Sequence, residues 1–456
     1  MPSLPAGYRK ETSLLTRLAL PVIGTQLANV ALSTTDVLMA GWLSASDLGA
    51  IAVGSAVGNP VIYTAMGVLV AVTPIVAQLF GAENHLAIGE KVRQGLWTAL
   101  LLAVPGVIFM RSASGILVFI GIEAELIPIT VDYLNALSWG LPFFLFFFVL
   151  RFFNDGISRT GPAFIISLAS LPVNFLANYL LMYGKLGFPR LGAQGCGYAT
   201  SVVWFFMFAT MAGWVFLRSE YKDYLLIKFS LPRRTVLAEI FSIGIPNGVS
   251  IFLEISMFAT ITLFIGSLSV EVVAAHQITI NIASIAYMIP LGIAIALTSR
   301  VGQAVGRGSR PDIVRSAVCG MTLSGVICLL LALVFFTLPN QLVSLYTDDP
   351  GVSGIAAGLL FFAALFQFSD GIQIACVGAL RGLKDTKIPM LLNILAFWIL
   401  GLPAGYLAGM VFELGAKGFW MGLVFGLTAG AVFQFGRLIY LVGLGRGVTR
   451  LKDSVF

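Results

Sequence analysis

The sequence predicts an all-α polytopic membrane protein: twelve transmembrane helices in two six-helix repeats (6+6), related by a pseudo-two-fold axis along the membrane normal. Three observations predict it. First, 58% of the 456 residues are hydrophobic and only 11% are charged, far from the balance of a soluble domain. Second, apolar runs of roughly 18–25 residues recur, each long enough to cross a hydrocarbon core of ~30 Å as a helix. Third, the chain repeats itself. Displaced by 225 positions, Pro21 falls on Pro246, Gly41 on Gly266, Gly67 on Gly292, Gln78 on Gln303 and Gly81 on Gly306, with 15 identities over the 75 ungapped positions 21–95. The content of 49 Gly and 35 Phe fits a helical bundle in lipid, where small residues let backbones approach.

Taken in order, the first six spans are expected at about 15–41, 50–80, 93–112, 128–152, 163–184 and 196–218. The second six fall at about 239–266, 275–300, 315–339, 354–380, 389–412 and 418–444. The longest polar stretch, EYKDYLLIKFSLPRRTVLAE, lies between them. The expected division is therefore an N-terminal lobe over 1–218, a cytoplasmic linker over 219–238 and a C-terminal lobe over 239–456. The later parts of the halves also correspond, with small changes of displacement: Gly156 and Thr160 match Gly382 and Thr386, and LGAQG (191–195) matches LGAKG (414–418). An even number of spans per half inserts both copies the same way round, so the axis runs along the membrane normal, with a cavity between the lobes. That architecture suits alternating access.

Charge sets the orientation. If the termini and even-numbered connections share one side, that side receives 23 of the 27 Lys and Arg, leaving Arg111, Lys185, Arg190 and Lys417 opposite. By the positive-inside rule both termini are expected in the cytoplasm. The net charge of +6 is then a topology signal, and no nucleic-acid partner is expected. The four cysteines, at 196, 319, 328 and 376, lie in or beside apolar runs without a CxxC pair, so neither a disulfide framework nor a zinc site is indicated. The N-terminus, MPSLPAGYRKETSLL, reads as a leader into the first span, not a removable signal peptide.

Asp36, Glu254 and Asp370 lie well inside expected spans. A charged acid at the membrane centre costs ~2.5–3.5 kcal/mol on an insertion scale, so each needs a partner, a cavity or a proton. A structural acid held neutral or paired is the ordinary alternative for one such residue. Three in one transporter-shaped chain point to function. Asp36 lies about 22 Å along a helix from Pro21, and Glu254 about 12 Å from Pro246. In the repeat register Glu254 falls on Asn29, which shares a helix face with Asp36 at i to i+7. The first half offers amides in place of a second acid: Asn174 and Asn178, four residues apart in LPVNFLANYLL. They either tie helices together or form a network that changes when Asp36 binds a proton. Acids with hydroxyl and backbone oxygens equally suit Na⁺.

Pro21 and Pro246 each remove a helix hydrogen bond within an opening span and are candidate hinges. His85 and His276 sit at span ends and are assigned no chemistry. The phenylalanine cluster at 143–153 suits a drug cavity or lipid-facing packing equally.

At this point the residues carry a resemblance. PIVAQLFGA (74–82), LGAQGCGYAT (191–200), FLEISMFA (252–259), VVAAHQITIN (272–281), LYTDDP (345–350), ALRGLKDT (379–386), GLPAGY (401–406) and LGAKGFWMG (414–422) occur in order. Together with the repeat, they make nearly the whole chain similar to the multidrug and toxic compound extrusion (MATE) transporters, in the NorM-like bacterial branch. The resemblance implies a multi-pass exporter of the bacterial inner membrane, a monomer without cofactor. It would expel cationic, amphipathic drugs against inward Na⁺ or H⁺. It implies Glu254 and Asp370 as the cation site of the second lobe, a candidate Na⁺ site. It implies Asp36, Asn174 and Asn178 as the polar site of the first, with Thr200 a further member. Two positions depart from the pattern. Phe366 stands where an aromatic hydroxyl often joins the second-lobe site, and Asn178 stands where some proton-coupled relatives carry an acid.

A cation-coupled antiporter is thus the leading expectation. One charge crossing ~100 mV yields ~2.3 kcal/mol, or about 50-fold accumulation, without ATP. The alternative is a flippase for a lipid-linked precursor on the same scaffold, for which cavity cations would be expected. No HExxH, GxSxG or nucleotide-binding GxxxxGK[ST] motif occurs, and an enzyme is not expected.

Overall fold

A computed structural model describes residues 6–226 and 228–443. The start of the leader, Ile227 of the linker, and the basic residues Arg446, Arg450 and Lys452 lie outside the described residues. The first half contains α1 (Ala6–Leu43), α2 (Ala45–Leu69), α3 (Val72–Gly81), α4 (His85–Arg111), α5 (Ser114–Ile120), α6 (Leu126–Ser138), α7 (Leu141–Gly156), α8 (Gly161–Leu181) and α9 (Gly192–Leu217). A 3-10 turn, Ser219–Tyr224, leads to the second half. That half contains α10 (Arg234–Gly266), α11 (Val270–Gly306), α12 (Arg310–Thr337), α13 (Pro339–Val343), α14 (Pro350–Gly382), α15 (Lys387–Asn393), α16 (Leu402–Tyr406) and α17 (Ala416–Gly443). No strand occurs among the described residues.

Among the described residues, eleven helical stretches are long and apolar enough to cross a membrane, and one bent pair makes a twelfth. The pair is α6 and α7, which meet at 44° where a single straight span over 128–152 was expected. Gly140 lies at the bend, where a Cβ would meet the Ser201 Cα at 2.6 Å. The second span, Ala45–Gly81, continues from α2 into α3 through Val70 and Ala71.

The repeat is visible in atomic detail. Thr73 Oγ1 donates to the Phe152 carbonyl at 3.4 Å, and its counterpart Thr298 donates to the Gly378 carbonyl at 2.9 Å. Gly156 packs on Thr73 and Val76, as Gly382 does on Thr298 and Val301. Ser158 and Lys384 both take left-handed backbone, at φ 61° and 57°, to end α7 and α14 with the same turn. Ser44 and Ser269 cap α2 and α11, each accepting the amide three residues on, at 2.9 and 3.3 Å.

Two compact units emerge: Met1–Ile23 with Val249–Phe456, and Gly24–Gly248. This differs from the sequence-based division at 1–218, 219–238 and 239–456, because the first part of each opening helix packs with the other half's helices. Within the first unit, Glu11 accepts from Arg300 at 2.9 and 2.7 Å and from Ser316 at 2.7 Å. Within the second, Lys91 pairs with Glu239 at 2.5 Å, and Gly244 and Gly248 lie flat on α2. A Cβ at Gly244 would approach the Val68 carbonyl to 2.2 Å. Both boundaries fall two residues beyond a proline, after Ile23 and after Gly248.

The linker belongs to the Gly24–Gly248 unit and straps across α4. Arg93 donates to the Leu225 carbonyl at 2.7 Å and to Ser230 Oγ at 3.1 Å. Gln94 donates to the Leu231 carbonyl and accepts from the Arg233 amide, both at 2.8 Å. Trp97 donates to the Ser230 carbonyl at 2.9 Å. In the other unit, Gly401, Gly405 and Gly409 face Gly418, Gly422 and Gly426. A Cβ on Gly422 would meet the Gly405 Cα at 2.3 Å, so these two spans touch backbone to backbone, as helices in lipid do when small residues line the contact. The first of them widens to π-helix at Ile394–Gly401 and Leu407–Val411.

Candidate functional site

Within the Gly24–Gly248 unit, α1, α8 and α9 converge on Asp36. Asn174 and Asn178, one turn apart on α8, both donate from Nδ2 to Asp36 Oδ1, at 2.9 and 2.6 Å. Thr200 Oγ1 on α9 approaches Asp36 Oδ2 at 3.5 Å and also donates to the Cys196 carbonyl at 3.0 Å. Asp36 is half-buried, whereas Asn174 and Asn178 are fully buried. Among the described residues, no group hydrogen-bonds either amide oxygen. The four expected residues are thus one cluster, with a carboxylate held by amide donors and two acceptor oxygens left over. If Asp36 takes a proton, it becomes a donor that those oxygens can accept. The cluster is chemically able to exist in two hydrogen-bonding states.

Within the other unit, Glu254 on α10 and Asp370 on α14 come together. The Glu254 charge acts on Asp370, Arg381 acts on Glu254, and the Tyr287 hydroxyl lies in the field of all three. Asp370 is 8% exposed and Glu254 half-buried. Trp398 Nε1, on the π-helical stretch, donates to the Leu253 carbonyl at 3.1 Å and fixes α10 at the level of Glu254. Phe366, one turn before Asp370, is buried and stacks on Trp420 at 5.7 Å, so it offers no oxygen to the acids. Among the described residues, no group of three or more His, Cys, Asp and Glu is placed to hold a metal. A small hard cation here would lean on the two carboxylates with backbone and hydroxyl oxygens.

Pro21 and Pro246 lie inside unbroken helices, where they leave the Arg17 and Ser242 carbonyls without the usual i+4 donor. Of the phenylalanine run, Phe147, Phe148, Phe152 and Phe153 are buried in their unit, and Phe143, Phe144 and Phe146 are half-buried.

The residues matched by the MatE family model are 21–180 and 246–407, two segments that begin 225 positions apart at the two prolines. The chain belongs to the MatE family. Among its relatives, a probable multidrug resistance protein NorM of Idiomarina loihiensis is 38% identical over 417 residues, 90% of each chain. The multidrug resistance protein PmpM of Pseudomonas aeruginosa is 38% identical over 432 residues, covering 92% of this chain and 90% of that one. Among solved structures, the eukaryotic MATE transporter AtDTX14 superposes with a TM-score of 0.91 over 99% of this chain and 100% of that one, at 21% identity. An outward-facing multidrug resistance MATE family transporter of the MOP superfamily gives 0.86 over 97% and 99%, at 20% identity. At such identity these two likenesses speak for the fold alone.

For this MatE chain, sequence reasoning missed Arg381, Tyr287 and the surroundings of His276. Arg381 was counted with the loop cations because it closes a span, yet a long side chain at a helix end can bury its stem and reach inward. His276 is 1% exposed, with Nδ1 accepting from Trp420 Nε1 at 3.2 Å and Nε2 facing Thr262 Oγ1 at 3.0 Å. It anchors the same aromatic stack that holds Phe366. The spacing between His276 and Trp420 in sequence gave no signal of this.

Proposed function

We propose that this chain is a cation-coupled multidrug efflux antiporter of the bacterial inner membrane. It exports cationic, amphipathic compounds by alternating access in exchange for inward Na⁺ or H⁺. Multi-pass character and MatE membership frame the reading, and the relatives' names favour drug efflux over a lipid flippase. The observation that carries it is the Asp36 cluster. Among the described residues no Lys or Arg pairs with this carboxylate; amides and a hydroxyl hold it instead. A negative group so placed is available to a cation, be it proton, Na⁺ or drug, and one occupant excludes another by charge. The Glu254–Asp370 pair supplies a second such centre, and Pro21 and Pro246 are the proposed joints in the two opening helices. Both termini face the cytoplasm on this reading.

The test is ethidium efflux from proteoliposomes with Na⁺ and H⁺ gradients imposed one at a time. At least one gradient drives efflux, and Asp36→Asn removes the response. If neither gradient drives efflux, the proposed function is wrong.

A further inference from the structure

Another carboxylate, this one buried, lies in the Gly24–Gly248 unit outside the Asp36 cluster. Asp155 is 1% exposed near the C-terminal end of α7, and among the described residues nothing hydrogen-bonds either of its oxygens. Its charge partner is Arg151, one turn earlier and 2% exposed, but their closest approach is 3.8 Å from Nε to Oδ2, beyond a hydrogen bond. Arg151 turns its Nη2 to Gln26 Oε1 on α1 at 2.8 Å and lies over the Phe148 ring at 5.2 Å. A buried ion pair offsets its desolvation cost only when its geometry is close and its remaining groups are hydrogen-bonded. Here Nη2 is committed to Gln26, while Nε and both carboxyl oxygens have no hydrogen-bond partner among the described residues.

The repeat marks the same position in the other half. With Gly156 on Gly382, Asp155 falls on Arg381, the cation that acts on Glu254 of α10. At this turn both halves carry an ionisable group, the buried Asp155 in one and the half-buried Arg381 in the other. Gln26 and Asp36 share α1, ten residues or about 15 Å apart.

We propose that Asp155 is a second proton-binding site of this unit, read out by Arg151. The proton adds to a carboxylate oxygen on uptake and leaves the same oxygen as H⁺ on release; no other bond changes. When Asp155 is neutral, Arg151 is held by Gln26. When Asp155 ionises, Arg151 closes the gap and loosens its hold on α1. On the orientation proposed above, Asp155 lies toward the cytoplasmic end and Asp36 deeper, so a proton taken at Asp36 would have an exit station. Tyr221, from the 3-10 turn, donates to Asn154 Oδ1 at 2.7 Å, Tyr224 packs edge-on to Phe153, and Arg159 is paired with Glu220. From α3, Thr73 and Val76 face Gly156 and do not titrate. Arg151 is the group whose charge acts on Asp155.

The inference rests on the proton arm of the proposed function, and the experiment separates the two. Purified full-length protein in proteoliposomes is assayed for ethidium efflux driven by an imposed pH gradient, across a series of internal pH values. Asp155→Asn is expected to displace the pH midpoint by about one unit or more, while ethidium binding to the detergent-solubilised protein is unchanged. An unchanged profile in Asp155→Asn overturns the inference. So does recovery of the wild-type profile on adding Arg151→Gln, which would make the pair purely structural. If Asp155→Asn does not accumulate, Asp155→Glu replaces it: a displaced midpoint supports the site and an unmoved one overturns it. Wild-type protein indifferent to the pH gradient would instead sink the proton arm of the proposed function, and this inference with it.

Discussion

Gly89→Ala tests whether the strap from Ser219 to Arg233 is a built part of its unit. A Cβ at Gly89 would lie 1.7 Å from the Tyr224 carbonyl oxygen and 2.9 Å from its carbon, so the backbone at Tyr224 must retreat by more than an ångström. The first interaction lost is the adjacent one, Arg93 to the Leu225 carbonyl at 2.7 Å, together with the stacking of His85 on Tyr224 at 5.4 Å. The bonds of Gln94 and Trp97 lie farther along and can persist. A hydrogen bond from a charged donor is worth about 1.5–3 kcal/mol. At 1.4 kcal/mol per decade, local opening of the strap rises roughly 10- to 150-fold. Lys222 and Lys228 are exposed on it, so tryptic cleavage there reads the open population directly. Gly115→Ala, where a Cβ meets nothing within 4 Å, is the control and should leave cleavage unaltered. If Gly89→Ala is cut at the wild-type rate, the strap is not docked as described.

Three further outcomes follow from the packing and the site. Asn178→Ala removes the shorter of the two amide bonds to Asp36 and should cut cation-driven ethidium efflux at least about tenfold, with expression retained. Thr298→Val should lower the thermal midpoint of purified protein more than Thr73→Val, because the equivalent bonds measure 2.9 and 3.4 Å; the stronger should be worth ~1 kcal/mol. Gly382→Val and Gly156→Val should both destabilise, by about 1–3 kcal/mol, since a Cβ would meet the Thr298 and Thr73 carbonyls at 2.8 and 3.0 Å. Equal stability of either valine variant and wild type in a denaturation scan would contradict that packing.

Much of this architecture was legible because the repeat and the spans are written in local properties. Glycines, prolines and apolar length survive divergence, and Thr73 and Thr298 already stood in register before their shared hydrogen bond was visible. Asp36, Asn174 and Asn178 were found because acids and amides at mid-span are costly unless they meet. The unit boundary was not legible. Sequence similarity reports which segments are alike, whereas the exchange of the first turns of α1 and α10 depends on what they pack against: Glu11 against Arg300, Gly244 against Val68. Asp155 and Arg151 escaped notice for a related reason. Near a span end, charges look solvated in a sequence, and only the fold shows that both are buried, with Gln26 and Phe148 against Arg151. The bend between α6 and α7 likewise lies at Gly140, whose close approach to Ser201 an apolar run cannot reveal.

The central claim is that carboxylates embedded in the membrane helices choose between a small cation and a cationic guest. Gradient-driven ethidium efflux by Glu254→Gln and Asp370→Asn in reconstituted vesicles tests it most directly. The account predicts that both variants insert and fold yet lose coupled efflux under either gradient; wild-type efflux from both would contradict it.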